Sequence, residues 1–157
     1  MGETDMFVKK LARRAGAAAA VAALIVTAAA GSASASDVRI DQWRADSRCD
    51  NDSPYFFCLW YSPNRQGGFW GSSKTAVPTL SGNFSDGHAI RNNAASADNG
   101  AGTCDVRIWV YPNYVGDSNV ISGFYGGNLT PNLRNNEASM AVDGPGWVSS
   151  CPAVRAR

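Results

Sequence analysis

Apolar residues are arranged along this chain in two different ways. From Ala15 to Ala30 every residue except Gly16 and Thr27 is Ala, Val, Leu or Ile. Beyond residue 54 the apolar residues fall instead into short aromatic and β-branched runs separated by Gly, Asn, Pro and Ser. The run YFFCLWY at residues 55–61 is continuous, which predicts a strand covered on both faces, and VRIWVY at 106–111 is similarly β-rich. Shorter strands are predicted at 68–72, 119–124, 139–142 and 146–149. No segment after the first apolar block keeps a 3.6-residue period for ten residues or more, so the pattern predicts an all-β sandwich or barrel. Residues 36–54 are polar, with Val38, Ile40 and Trp43 as their large apolar side chains. They read as an N-terminal arm that either packs a short strand onto the domain or stays loose.

The first apolar block follows Lys9, Lys10, Arg13 and Arg14 and precedes Gly31-Ser32-Ala33-Ser34-Ala35. A positive region, an apolar region and small residues at A-x-A spacing make an export signal over residues 1–35, with cleavage before Ser36. A membrane anchor needs about 20 strongly apolar residues, and this alanine-rich block falls short. The leader holds four of the 14 basic and two of the 13 acidic side chains, leaving ten and eleven. With a net charge of −1 and no basic block, neither a nucleic-acid footprint nor a polybasic membrane patch is expected. All four cysteines, Cys49, Cys58, Cys104 and Cys151, lie beyond the leader. An even count in an exported domain points to two disulfides. Spacings of 9, 46 and 47 residues contain no C-x-x-C knuckle and argue against zinc.

Two sequence elements occur twice, in the same order. Arg91-Asn92-Asn93-Ala94-Ala95-Ser96 returns as Arg134-Asn135-Asn136-Glu137-Ala138-Ser139, five of six residues identical at a spacing of 43. Upstream of each copy stands W-x-x-P-N-x-x-G, from Trp60 to Gly67 and from Trp109 to Gly116. The domain is therefore built from two copies of one β unit of about 40 residues.

These elements resemble the βγ-crystallin Greek key, whose hairpin signature is an aromatic, four residues, an aromatic, any residue and glycine. Trp109, Tyr114 and Gly116 match it in full. The first copy has Trp60 and Gly67 but Arg65 at the second aromatic position, which predicts a looser corner. The later element is similar to the microbial βγ-crystallin motif of two Asn/Asp, two variable residues and Ser/Thr-Ser. Asn92, Asn93 and Ser96 fit, as do Asn135, Asn136 and Ser139, while Ala97 and Met140 stand where the final serine belongs. More specifically, residues 49–151 resemble the secreted actinobacterial peptidase-inhibitor family of the streptomycete metalloproteinase-inhibitor type. The shared features are the exported leader, a cysteine shortly before Cys58-Leu59-x-Tyr61, the Pro-Asn-x-x-Gly turn and a second Greek key. The resemblance implies a βγ-crystallin-like sandwich of two Greek keys over residues 55–151, one about 55–99 and one about 104–151. Residues 152–157 then form a C-terminal tail.

Four cysteines allow three pairings. Cys49 with Cys58 closes a short loop before the first strand, and Cys104 with Cys151 ties the second Greek key to the end of the chain. The resemblance offers a calcium ion, held weakly, on Asn92, Asn93, Ser96, Asn135, Asn136 and Ser139, and no other cofactor. These turns carry amides rather than the carboxylates that tighten calcium sites. No catalytic residue is expected: His88 is the single histidine and has no nucleophile elbow beside it. Of the fifteen aromatic residues beyond the leader, Phe57, Trp60 and Trp109 read as core, while Phe69, Trp70, Tyr125 and Trp147 flank glycines as candidate partner contacts. The function implied by the resemblance is inhibition of an extracellular metallo- or serine protease by a monomer. Competing readings are a calcium-binding or stress-protective module and an antimicrobial or toxin-like protein. An inhibitor needs a rigid loop, and Asp50, Asn51, Asp52, Ser53, Pro54 and Tyr55 are the first choice, held by Cys49–Cys58 and stiffened by Pro54. Residues 81–99, with glycines at 82 and 87, look too flexible for that role.

Overall fold

The computed structural model describes residues 35–50 and 52–142. Leader residues 1–34, Asn51, the strand expected at 146–149, Trp147, Cys151 and the tail lie outside the described residues. Among the described residues ten strands form two five-stranded sheets. The first copy of the repeat supplies β3 (Phe57–Ser62), β4 (Gln66–Ser72), β5 (Ala76–Val77) and β6 (Ser96–Asn99). The second supplies β7 (Val106–Tyr111), β8 (Val115–Ile121), β9 (Tyr125–Asn128) and β10 (Ser139–Val142). The arm adds β1 (Asp37–Arg39) and β2 (Trp43–Arg44). The sheets run β1-β8-β7-β10-β5 and β2-β9-β6-β3-β4. Each copy keeps its hairpin and last strand in one sheet and sends its third strand to the other, so the two Greek keys are interlocked.

Both hairpins break register at the same place, between Trp60 and Ser62 in one and between Trp109 and Tyr111 in the other. Both turns carry consecutive positive-φ residues, Asn64-Arg65 and Asn113-Tyr114, followed by Gly67 at φ 74° and Gly116 at φ 88°. Glycine tolerates that conformation without steric cost. The repeated W-x-x-P-N-x-x-G element thus encodes one folded corner used twice.

Strand β3 is covered on both faces, as its continuous apolar run predicts. Phe57 and Leu59 enter the core between the sheets, with Ile90, Ile108, Ile121, Leu129 and Met140. Cys58 and Trp60 face the other way, into a small cluster with Cys49, Tyr55 and Phe69. That second cluster lies beneath the arm and the loop that follows it.

The arm packs rather than hanging loose. β1 pairs in parallel with β8, and β2 antiparallel with β9. Residues 81–95 correct the expectation of flexibility. Ser85 N–H donates to the Phe69 carbonyl (2.9 Å), Gly68 N–H to Asp86 Oδ2 (2.7 Å), and Ile90 N–H to the Gly82 carbonyl (3.0 Å). The segment is tied along the outer edge of β4, which would otherwise present unpaired backbone groups to solvent. Residues 96–99, read as part of the same loop, form β6 in the middle of a sheet.

Candidate functional site

The loop between the arm and β3 is closed by the Cys49–Cys58 disulfide, with the two Cα atoms 6.1 Å apart. Ser53 sits inside it, buried. Its Oγ donates to the Arg48 carbonyl (2.6 Å) and accepts from Tyr55 N–H (3.1 Å), joining both arms of the loop. Asp50 folds the entrance: its carbonyl accepts from Ser53 N–H (3.2 Å) and its Oδ1 from Asp52 N–H (3.0 Å). Asp52 and Pro54 remain exposed and project from this frame.

The underside of the loop is packed as firmly. The Tyr55 ring lies 5.8 Å from that of Phe69. It also rests on Gly71, where a Cβ would come within 2.6 Å of the ring. The Arg48 guanidinium covers the faces of Phe69 (5.1 Å) and Trp60 (5.4 Å) and pairs with Asp46 at 2.8 Å. Hydrogen bonding from Arg48 holds the Asp46 carboxyl below its ordinary range. Of the six residues the sequence singles out here, Asn51 is outside the described residues. The other five fall into a structural set, Asp50, Ser53 and Tyr55, and a projecting pair, Asp52 and Pro54. Sequence reasoning missed Arg48 and Asp46, which brace the loop from beneath.

Cys104 is also disulfide-bonded; its expected partner Cys151 lies outside the described residues. Asn99, fully buried, organises the chain around Cys104. Its Nδ2 donates to the carbonyls of Cys104 (2.7 Å) and Ile121 (2.8 Å), and its Oδ1 accepts from Ala101 N–H (2.6 Å).

The two Asn-Asn-x-x-Ser turns meet between the repeats. Asn92 N–H donates to the Glu137 carbonyl and Asn135 N–H to the Ala94 carbonyl, both at 2.9 Å. Ser96 Oγ donates to the Ser62 carbonyl (2.8 Å) and accepts from Arg65 N–H (3.1 Å). Ser139 Oγ does the same with the Tyr111 carbonyl (2.6 Å) and Tyr114 N–H (3.1 Å). Each serine therefore ties its turn to its own hairpin corner. Asn93 and Asn136 spend their side-chain N–H groups on the carbonyls of Arg91 and Asn132. The Glu137 carboxylate is buried and accepts from Asn93 N–H (3.0 Å) and Ala94 N–H (2.9 Å). Among the described residues no cluster of three or more His, Cys, Asp or Glu side chains assembles.

His88 stacks on Tyr61 at 4.1 Å and its Nδ1 lies 3.2 Å from Asp86 Oδ1. This pair fastens residues 81–89 to the sheet edge, since Asp86 also receives Gly68 N–H.

A family model described as peptidase inhibitor family I36 matches residues 42–121, just over half of the chain. The chain belongs to peptidase inhibitor family I36. The match to this inhibitor family takes in β2, the stapled loop, the whole first repeat and the first hairpin of the second. No curated protein matches the chain significantly. Among solved structures, one concerned with the evolution of the eye lens βγ-crystallin domain fold is similar at 20% identity and a TM-score of 0.46, covering 55% of this chain and 82% of that one. A βγ-crystallin domain from Flavobacterium johnsoniae is similar at 15% identity and a TM-score of 0.44, covering 58% and 97%. The N-terminal domain of protein S is similar at 16% and 0.44, covering 57% and 96%. The βγ-crystallin-like description of this I36 member rests on its own interlocked Greek keys and repeated corners.

Proposed function

We propose that this family I36 protein is exported and, as a monomer, blocks an extracellular protease of the metallo or serine class through the loop at residues 50–55. The observation that carries the reading is that the described residues of the loop are tied to the domain at several points. A disulfide closes it, Ser53 joins its two arms, and Tyr55 is wedged onto Gly71. A loop already in its bound shape loses little conformational entropy on docking, so more of the contact energy appears as affinity. Export agrees with the leader pattern and with a disulfide, which persists in oxidising compartments. No cofactor enters the proposal: the Ser96 and Ser139 hydroxyls already donate to backbone carbonyls, and the paired turns serve as structural ties.

Titration of the purified protein against thermolysin-like and subtilisin-like proteases tests this. Inhibition of one class at one-to-one stoichiometry is expected, with the chain left intact. Asp52→Ala and Pro54→Gly should weaken inhibition with little change in stability, because both residues project from the frame. Undiminished activity of both proteases, or prompt cleavage throughout the chain, would remove the reading.

A further inference from the structure

Among the described residues seven non-glycine residues have positive φ: Asn64, Arg65, Asn92, Asn113, Tyr114, Phe124 and Asn135. Six of them form three pairs at equivalent positions of the two repeats, so their conformation belongs to the fold. Phe124, at φ 60°, has no counterpart among the described residues. A bulky side chain in the left-handed region is a genuine outlier, and unexplained strain of this kind collects at functional sites.

The surroundings hold Phe124 in place from both sides. Its N–H donates to the Asn99 carbonyl (3.1 Å), and its carbonyl accepts from Ala45 N–H (2.9 Å). The preceding Gly123 lies close against the chain at Gly102, where a Cβ would stand 1.5 Å from the Gly102 carbonyl oxygen. Packing does not explain the residue either, since its ring is partly exposed and belongs to neither hydrophobic cluster. The ring instead lines a small cleft of about 210 Å³ together with Arg44, Ala45 and Asp50. The Arg44 guanidinium is held over the Tyr125 ring at 4.7 Å. Asp50 belongs both to this cleft and to the stapled loop, so the two form one continuous surface.

Size points the same way. A stable protein–protein contact takes about 800 Å² and roughly 20–30 residues from each partner. A six-residue loop with Ser53 buried cannot supply that alone. We propose that Phe124 and its cleft are a second contact of the protease-facing surface, the Phe124 ring packing on an apolar side chain at the rim of the protease with Arg44 and Asp50 flanking it. The inference rests on the inhibitor reading above and adds to it a named anchor outside the loop. Aromatic residues, Phe included, are enriched at the cores of such interfaces.

Phe124→Gly is the test, because glycine adopts the same backbone without strain. Thermal unfolding and inhibition are measured together, against whichever of the thermolysin-like and subtilisin-like proteases the wild type inhibits. The variant should melt at the wild-type temperature or above it and inhibit at least about tenfold more weakly. A lower melting temperature would overturn the proposal by making the ring a structural element. Unchanged inhibition by the variant would overturn it while leaving the loop reading standing. If the wild type inhibits neither protease, both readings fall together.

Discussion

The two repeats fold the same corner with different chemistry. In the second copy Tyr114 packs edge-on against Trp109, centroids 5.3 Å apart, as the βγ-crystallin-like signature implies. In the first copy Arg65 stands at that position, and it turns away from Trp60 toward Asp98. Its Nε lies 2.8 Å from Asp98 Oδ2, and its guanidinium covers the Trp43 ring at 5.0 Å. Asp98 also accepts from Trp43 Nε1 (2.8 Å) and Asp46 N–H (2.7 Å). The equivalent of Asp98 in the second repeat, 43 residues on, is Ala141. So the first copy has exchanged an aromatic contact for a buried ion pair that recruits the arm. The looser corner expected from Arg65 is not what the structure shows. It is a corner closed by partners distant in sequence, and it anchors the segment that leads into the stapled loop.

Removing the carboxylate gives the largest effect. Asp98 is fully buried, and burial pushes its carboxyl above the ordinary range against the pull of its three donors. Asp98→Ala removes the carboxylate that pairs with Arg65 and leaves Trp43 Nε1 and Asp46 N–H without this acceptor, and should cost about 3–5 kcal/mol in chemical denaturation. Adding Arg65→Tyr, which recreates the second repeat's pair of residues, should return part of that loss. A double variant as unstable as the sum of the singles would mean that the two positions are not coupled.

This corner also shows what the sequence could and could not disclose. The hairpins β3–β4 and β7–β8 are legible because each carries apolar or β-branched runs beside a repeated Pro-Asn turn. The central strands β6 and β9 are not legible, since they read Ser-Ala-Asp-Asn and Tyr-Gly-Gly-Asn. Both are shaped by close approach rather than by apolar pattern. A Cβ on Gly126 would sit 1.7 Å from Asp98 Oδ1, and one on Gly127 would sit 1.9 Å from the Ile40 carbonyl. Asp98 and Asn99 look like loop residues until their partners, Trp43, Arg65, Cys104 and Ile121, are placed around them. The stapled loop could be picked out from cysteine spacing and Pro54. Its keystone, Ser53, looks like any other loop serine until the carbonyl of Arg48 lies beside it.

A second asymmetry lies where the repeats touch, with Ala94 in one turn and Glu137 in the other. Burial pushes the Glu137 carboxyl up to about 7, against the backbone N–H groups that favour its ionised form. None of the described salt bridges reaches it, and its Oε2 has no hydrogen-bond partner. In the unfolded chain the same group titrates near 4.5. Between those pH values the folded chain keeps a proton that the unfolded chain has released, so stability falls as pH rises through the window. The contribution is fully present below about 4.5 and lost above about 7, on the order of 1–3 kcal/mol. Glu137→Gln keeps an oxygen for Asn93 and Ala94 N–H but does not titrate. It should flatten this dependence and exceed the wild type in stability at pH 8. An unchanged pH profile in the variant would show that Glu137 is not the titrating group.

The smallest expected effects come where the repeats agree. Ser96 and Ser139 bond the same atoms of their own corners, so Ser96→Ala and Ser139→Ala should each cost about 0.5–1.5 kcal/mol, and nearly the same amount. A marked difference between them would mean that the ion-paired corner and the aromatic corner lean on their serines to different degrees. The same variants decide whether the turns do more than hold the hairpins. An extracellular calcium module with a dissociation constant near 1 mM gains only about 0.4 kcal/mol at 1 mM calcium. These turns offer amides and already engaged hydroxyls where such modules use carboxylates. Millimolar calcium should therefore leave the melting temperature unchanged in the wild type and in both serine variants. A rise in the wild type that either substitution abolishes would make the repeated turns a pair of metal sites. The symmetry between the copies would then be kept for ion binding as well as for folding the corners.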